Sequence, residues 1–130
     1  MASAFLIPFR HSLAAALLAL PAFAFASENE GQQVYERVCI ACHGSGVDDA
    51  PRFGDRRRWQ PLIREGLNDL VPAALRGIRK MPAKGGNPEL SDEAVARAVI
   101  YMANAAGARF TEPTPEDLAR WRKKADARRK

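Results

Sequence analysis

The sequence predicts a small all-α domain of three or four helices. The chain has 130 residues, the size of one ordinary domain. In several segments the apolar residues recur at the three- and four-residue spacing of a helix, between residues that cap helices. No segment shows the alternation of a β-strand, and no internal repeat is present. Two cysteines are too few for the several bridges of a disulfide scaffold, so we expect them to act together.

An export signal is predicted at the N-terminus. Arg10 precedes a compact apolar run at residues 13–20, and the small residues Ala24 and Ala26 follow. The run is shorter than the roughly 20 apolar residues of a membrane span. We therefore predict cleavage after Ala26 and export to the periplasm, with a retained anchor as the alternative. The predicted divisions are a signal peptide at 1–26, a helical domain at 27–110 and a basic tail at 111–130.

The first helix of the domain is predicted at residues 28–39. Ser27 and Glu30 have the spacing of a capping box. One face of this helix carries Gly31, Val34, Tyr35 and Val38. Because a glycine lets two backbones approach, Gly31 predicts a close crossing with another helix. An ordinary amphipathic surface helix is the alternative.

Two loops and two shorter helices follow. Residues 43–55 are rich in Gly, Asp, Pro and Arg and show neither the helical nor the strand period of apolar residues. They are therefore predicted to form a loop that wraps around another part of the site. A helix is predicted at 57–65, with Gly66 in the position of a left-handed cap, and another at 68–77. A second loop covers residues 81–88.

The last helix of the domain has the clearest boundaries. Ser91 is placed to cap its N-terminus, and Gly107 terminates it. Asp92 and Glu93 suit the positive end of the helix dipole. Its apolar stripe consists of Val95, Val99, Met102 and Ala106.

The basic character of the protein comes from its tail. Residues 114–130 hold seven basic and three acidic side chains, whereas the charges of residues 27–113 balance. Thr114 suits a helix cap, but Leu118 and Trp121 are the only large apolar residues, so a marginal helix is predicted. The tail either contacts an acidic partner or an anionic membrane surface weakly, or forms a solvated, disordered end. Terminal basic residues with a single aromatic do not indicate nucleic-acid binding.

Residues 39–43 read Cys-Ile-Ala-Cys-His. Two thiols one turn apart, Cys39 and Cys42, can each add to one vinyl group of a haem, and His43 then offers its imidazole to the iron. The motif predicts one covalently bound haem c. A thioredoxin-like redox disulfide is the rival interpretation, but it requires a β-α-β surround that the sequence does not predict.

The second axial ligand follows from the residues that remain. Without the signal peptide His43 is the only histidine, which excludes two histidine ligands within one chain. The candidates are then Met, Lys, Tyr, water or no ligand. Met102 lies on a helical stripe and is predicted to fill the core. Met81 lies in a Pro/Gly loop without a stripe and is predicted to bind the iron through its thioether, with a merely packed methionine as the alternative.

Taken together, these motifs resemble those of the small bacterial cytochrome c5-like class I cytochromes, over about residues 30–106. The resemblance is carried by Gly31-x-x-Val34-Tyr35, Cys39-x-x-Cys42-His43-Gly44, Ala50-Pro51-x-x-Gly54-Asp55, Trp59, Met81-Pro82-Ala83-Lys84-Gly85-Gly86, Leu90-Ser91-Asp92-Glu93 and Tyr101-Met102. It implies one low-spin haem within three or four helices, with the first and last helices crossing, and electron transfer as the activity.

The resemblance also implies two supporting roles and shows one departure. The carbonyl of Pro51 is expected to accept the N–H of the His43 ring, and the indole N–H of Trp59 is expected to point at a haem propionate. The family commonly has an additional cysteine pair after the Gly-Gly step, where this chain has residues 87–89 and no further cysteine. The loop that carries Met81 is therefore predicted to be less constrained.

Basic residues near the motif have two interpretations each. Four arginines are candidates for binding the propionates, or for a solvated cluster: Arg52, Arg56, Arg57 and Arg58. Lys84 borders the partner surface or faces water.

The predicted function is one-electron transfer by a diffusible periplasmic carrier. With His43 and Met81 both on the iron no position is open for a substrate, so an enzyme is not predicted. The redox partners are expected to be a membrane cytochrome complex, a dehydrogenase or a terminal oxidase, docked by weak apolar contacts. Two alternatives stay open: a haem sensor or enzyme in which Met81 is absent or easily displaced, and a haem subunit fixed to a larger dehydrogenase by the basic tail.

Overall fold

The structure is helical, as the sequence predicts. This computed structural model describes Met1 and residues 30–128, and no strand occurs within that part of the chain. The helices are α1 at residues 30–43, α2 at Arg56–Glu65, α3 at Leu67–Arg76, α4 at Asp92–Ala105 and α5 at Pro115–Ala127. Two short 3₁₀ turns lie in the loops, at Val47–Asp49 and Ala83–Gly86. The predicted signal peptide, its cleavage site and the Ser27 cap lie outside the described residues.

Helix α1 ends with the cysteine motif and is not a uniform α-helix. Residues 30–34 are α-helical, Tyr35–Cys39 form a π-helical turn, and Ile40–His43 return to α-helix. The predicted end at residue 39 therefore falls short of the observed end at His43. A π-turn accommodates one additional residue per turn, and such turns are frequent at functional sites. As a result, both cysteines and the histidine lie in one continuous helix.

Helices α1 and α4 cross in close contact at Gly31. A Cβ atom placed on Gly31 would lie 2.5 Å from the carbonyl oxygen of Arg97 and 3.3 Å from the Cβ of Tyr101. This geometry confirms the predicted close crossing. The Arg97 guanidinium reinforces it by pairing with carboxylates from three segments, Glu30, Glu93 and Glu112.

Caps and glycines delimit the middle helices, and the Ser91 cap, Gly66 and Gly77 lie where the sequence predicts them. Asp55 caps α2 by accepting a backbone N–H at 3.2 Å, and Ser91 caps α4 in the same way at 3.0 Å. Gly66, with φ +79°, separates α2 from α3, and Gly77, with φ +84°, ends α3. The predicted boundaries of these helices agree with the observed ones to within about two residues, the usual uncertainty of helix ends.

Helix α5 packs on the domain, so the disordered alternative for the tail is wrong over Pro115–Ala127. Thr114 and Asp117 form a capping box at its start. Trp121 is 2% exposed, Ala125 is fully buried, and Leu118 packs beside them. These residues lie on one helical face, and packing of such a face supplies the stability that an isolated short helix lacks.

The interior has two main apolar clusters. The α5 cluster lies among α3, α4 and α5 and contains Val71, Ala74, Leu75, Val95, Ala96, Val99, Trp121 and Ala125. The aromatic cluster lies beside α1 and contains Tyr35, Trp59, Met102, Ala103 and Ala106, with Phe53 and Tyr101 packed against it. Within the described residues, no helix combines the length and apolarity that crossing a bilayer requires.

Candidate functional site

Cys39 and Cys42 lie one turn apart near the end of α1. Both thiols are unpaired and partly buried. Burial raises the pKa of the Cys39 thiol to about 11. A redox-active dithiol needs the opposite, a thiol with a lowered pKa. This pKa and the strand-free fold of the described residues disfavour the thioredoxin-like alternative.

The ring of His43 is held by the loop that follows it. Its Nδ1 lies 2.8 Å from the carbonyl oxygen of Pro51, so the hydrogen bond implied by the resemblance is present. Because a carbonyl only accepts, Nδ1 carries the proton, and Nε2 of the neutral ring keeps its lone pair. The residue is 8% exposed, and Nε2 has no hydrogen-bond partner among the described residues. Nε2 is therefore the ring atom that can bind a metal.

Two further hydrogen bonds fix this loop. The backbone N–H of Phe53 donates to the carbonyl of His43 at 2.7 Å, and the indole N–H of Trp59 donates to the carbonyl of Arg52 at 2.9 Å. Within the chain the indole N–H thus has a backbone acceptor, and the contact of Trp59 with a haem propionate stays a prediction. The indole is buried, 6.2 Å from the His43 ring between centroids, where it supports the Pro51 segment.

Met81 lies in a tight turn that follows α3. The backbones of Ile78 and Met81 exchange two hydrogen bonds, of 3.0 and 2.9 Å. A Cβ on Gly77 would lie 2.8 Å from both the carbonyl oxygen of Met81 and the backbone nitrogen of Ala83. Only glycine permits so close an approach at this φ. The Met81 backbone is therefore fixed, and its side chain packs, half-buried, against the α5 cluster.

The Met81 turn lies next to the cysteine motif. A Cβ on Gly85 would lie 3.1 Å from Cγ1 of Val38 in α1. The ammonium of Lys80 lies 3.1 Å from a carboxylate oxygen of Asp48, in the loop that follows His43. Met102, in contrast, is 3% exposed in the aromatic cluster, which confirms its predicted place in the core.

The donor atoms of this site fit a covalently bound haem. Two unpaired thiols one turn apart can form the two thioether bonds, and the neighbouring imidazole has its Nε2 available for the iron, because Nδ1 bonds to Pro51. A thioether lies on a loop that contacts the same helix. Cys39, Cys42 and His43 thus lie together at the end of α1, and ligation by Met81 stays a prediction.

The basic residues near the motif have different environments in the structure. The arginine cluster 52–58 is exposed, as the solvated alternative predicts, and Arg58 pairs with Asp49 at 3.0 Å. This ion pair lowers the pKa of the Asp49 carboxyl. The Lys84 side chain is 20% exposed, and its ammonium donates to the carbonyl of Leu90 at 2.6 Å. Its place at the border of a partner surface stays a prediction.

Three exposed apolar side chains around the motif could not be identified from the sequence. Ile40, Val47 and Ile78 are 45%, 45% and 44% exposed, and we call them the apolar face. The turns that carry Val47 and Ile78 are joined by the Lys80–Asp48 ion pair. Ile40 lies within the motif, Val47 in the loop that follows it and Ile78 in the Met81 turn, and only the structure reveals that all three are exposed.

Comparison with known proteins gives concordant results. The family model described as subunit III of cbb3-type cytochrome c oxidase matches residues 26–102. Cytochrome c-555 of Chlorobaculum tepidum is 41% identical over 93 residues, which are 68% of this chain and 85% of that protein. Cytochrome c5 of Azotobacter vinelandii is 35% identical over 74 residues, 55% of this chain and 89% of that protein. A chain in the crystal structure of an electron transfer complex of nitrite reductase with cytochrome c superposes with a TM-score of 0.57 at 36% identity, covering 59% of this chain and 94% of that chain.

Proposed function

The chain belongs to this c-type cytochrome family, as a monohaem class I member of the c5-like kind, and we propose that it is a periplasmic one-electron carrier with His43 and Met81 as iron ligands. It is a haem c electron-transfer protein, with Cys39 and Cys42 at the spacing of covalent attachment. When bound, the haem supplies an iron that is oxidised and reduced by one electron.

The hydrogen bond between His43 and Pro51 is the observation that carries the proposal. It fixes the tautomer in which Nε2 is unprotonated, and it makes the imidazole a better donor. Burial of the ring and the neighbouring indole of Trp59 limit its rotation. The imidazole is thus oriented by hydrogen bonding and packing within the chain.

The Met81 turn supplies the second ligand in the proposal. Its two backbone hydrogen bonds remove most of the backbone freedom that ligation would otherwise have to restrict. A thioether is a weak donor and gives a higher reduction potential than a second imidazole. With His43 and Met81 both holding the iron, the site would offer no open position for a substrate, which favours a carrier over a sensor or an enzyme.

The apolar face is proposed as the contact surface for redox proteins. Its three side chains lie in the motif, in the loop that follows it and in the Met81 turn, in a domain whose charges balance over residues 27–113. The basic residues of α5 are largely used internally, since Arg122 pairs with Asp92 and Lys124 with Asp69. Weak apolar docking therefore accounts better for partner contact than steering by the tail. The solved relative named with nitrite reductase supports a redox protein as the partner.

The periplasmic location rests on residues 1–26. Expression of the full chain in a bacterium that matures c-type cytochromes is expected to give a coloured protein in the periplasmic fraction. Mass spectrometry of the isolated protein is expected to show an N-terminus at Ser27. A protein that keeps residues 1–26 and fractionates with membranes would indicate an anchor instead.

The ligand assignment is tested by removing one methionine at a time. Ferric haem with a methionine ligand shows a weak far-red absorption band, and we expect this band in the holoprotein. Met81→Ala should abolish it and open the iron to carbon monoxide in the reduced form. Met102→Leu, a matched loss of a core methionine, should leave the band intact. A band that survives Met81→Ala would overturn ligation by Met81 and leave haem attachment standing.

The docking surface is tested without knowledge of the physiological partner. Electron self-exchange between oxidised and reduced holoprotein, measured by NMR, requires two copies to meet at the surface that transfers electrons. Ile78→Lys should slow it about tenfold, because two like charges then face each other in the encounter. Ala119→Lys, at an exposed position of α5, adds the same single positive charge away from the apolar face and should alter the rate much less. Equal slowing by both variants would contradict docking through this face.

A further inference from the structure

We infer that α5 fastens the loop that carries Met81, through an ion-pair chain from Arg122 to Asp92 to Lys84. Arg122 is then a positioning residue for the sixth ligand, although it lies outside the region of family resemblance. The inference rests on the proposed ligation by Met81. The loop lacks the additional cysteine pair that the family commonly has, and contacts with α5 restrain it instead.

The first contact of the chain joins α5 to the start of α4. The Nε atom of Arg122 donates to one carboxylate oxygen of Asp92 at 2.6 Å, and a terminal nitrogen donates to the other oxygen. Two parallel bonds of this kind form the strongest arrangement of an arginine with a carboxylate. They lower the pKa of Asp92, whose side chain is 26% exposed.

The second contact joins Asp92 to the loop. The ammonium of Lys84 lies 3.4 Å from the carboxylate and also donates to the carbonyl of Leu90 at 2.6 Å. Its side chain is only 20% exposed. Lys84 also adopts a φ of +54°, which is rare for a residue with a side chain. The surroundings therefore hold this backbone in place, three residues after Met81.

The apolar contacts run in parallel with the charged ones. Trp121 of α5 is buried in the cluster against which Met81 packs, and its indole N–H donates to the side-chain oxygen of Asn68 at 2.7 Å. Both the Met81 side chain and the Lys84 ammonium thus rest on a surface that α5 completes. Movement of the Met81 turn, which release of a bound iron would require, would disrupt these contacts.

Competition with imidazole measures how firmly the loop is held. Imidazole added to the ferric holoprotein takes the sixth position only when Met81 leaves it. Arg122→Met keeps the length of the side chain and removes the fork, so we expect imidazole to bind about fivefold more tightly, at the low end of couplings between two sites. Lys84→Met should have a similar effect, and the double variant should add little to either single one, because both act on one chain of contacts.

Lys124→Met is the matched control. It breaks the ion pair of Lys124 with Asp69 at 2.8 Å, on the same helix, with similar exposure but no link to the loop. We expect it to lower the thermal midpoint about as much as Arg122→Met does and to leave imidazole affinity unchanged. Equal imidazole affinities for Arg122→Met and Lys124→Met would overturn the inference.

The two proposals fail in different ways. If the wild-type holoprotein has no far-red band and Met81→Ala binds imidazole like wild type, ligation by Met81 is wrong. The positioning role of Arg122 then also fails, because it depends on that ligation. If the band is present and is lost in Met81→Ala, but Arg122→Met behaves like the control, ligation stands and the role of α5 is wrong.

Discussion

The two sides of the site are built in different ways. On the His43 side, the ring, the Pro51 carbonyl that orients it and the Trp59 indole that supports this loop all lie within 17 residues of one another in the sequence. On the Met81 side, the turn is held by contacts with Asp92 through Lys84 and with Arg122 beyond it, far along the chain.

This difference between local and long-range contacts shows which part of the site a short sequence motif can position by itself. The His43 side has few ways to rearrange, since backbone hydrogen bonds within one loop fix it. The Met81 side depends on helices that must assemble first. We therefore expect perturbation of distant packing to reach Met81 before it reaches His43, and the following variants test that expectation, from the largest effect to the smallest.

Gly31→Ala should disturb both sides together. The added methyl would lie 2.5 Å from the carbonyl oxygen of Arg97, so α1 and α4 must separate, at a cost of about 3 kcal/mol in the free energy of unfolding. Denaturant unfolding of the holoprotein measures this cost. Gln32→Ala, at the exposed neighbouring position, should change it by less than about 0.5 kcal/mol. A small effect of Gly31→Ala would contradict the close crossing.

Gly77→Ala should disturb the Met81 side alone. Gly66 and Gly77 have similar φ values of +79° and +84°, but a Cβ on Gly66 has no neighbour within 4 Å, whereas one on Gly77 meets the Met81 backbone at 2.8 Å. Both substitutions carry the strain of positive φ, so the difference between them isolates the close approach, at about 2 kcal/mol. The far-red band should be lost in Gly77→Ala and kept in Gly66→Ala. Equal stability of the two variants would argue against a tight turn.

The two tryptophans compare the sides most directly. Trp59→Phe and Trp121→Phe each remove one indole hydrogen bond, to the Arg52 carbonyl and to Asn68, and each should cost about 1.5 kcal/mol of stability. Only Trp121→Phe is expected to raise imidazole affinity for the ferric protein, because it lies on the Met81 side. The reverse pattern would mean that the His43 side is the weaker one.

The smallest effect concerns pH. Hydrogen bonding to Arg122, with a lesser contribution from Lys84, lowers the pKa of Asp92 below its ordinary value. The resulting stability is fully present above the unfolded-state pKa of about 3.9 and is lost as the pH falls through the lower folded-state pKa. Asp92→Asn should therefore cost about 1 kcal/mol near neutral pH and progressively less in acid. Asp126→Asn, which removes the more exposed partner of Arg122, should show a smaller difference at neutral pH.

The sequence is sufficient for features whose signals are local. The cysteine motif, the Ser91 cap, the Gly31 crossing and the placement of Met102 in the core could all be predicted from residue type and spacing. The Pro51 hydrogen bond came from family resemblance, and the structure contains it. The acceptor that the Trp59 indole has within the chain could not be predicted this way, because the path of the loop decides which carbonyl reaches it.

The features that depend on assembly needed the structure. The spacing of Leu118, Trp121 and Ala125 marks one helical face, but only α3 and α4 determine that this face is covered. The partner of Lys84 is a carboxylate eight residues further along the chain, supported from α5, and no spacing rule connects these three residues. The exposure of Ile40, Val47 and Ile78 needed the structure for the same reason, since the three residues lie in separate segments.

The π-helical turn of α1 has a consequence for the length of this helix. Successive residues of an α-helix are rotated by about 100° about its axis, so one inserted residue re-phases everything that precedes it. The turn at Tyr35–Cys39 thereby sets the angle between the face that meets α4 and the face that carries the thiols. A shorter helix lacking one residue, such as the exposed Arg37, would regain ideal winding and turn Gly31 away from Arg97. The length of this segment is therefore sterically restrained, even at positions where the side chain can vary.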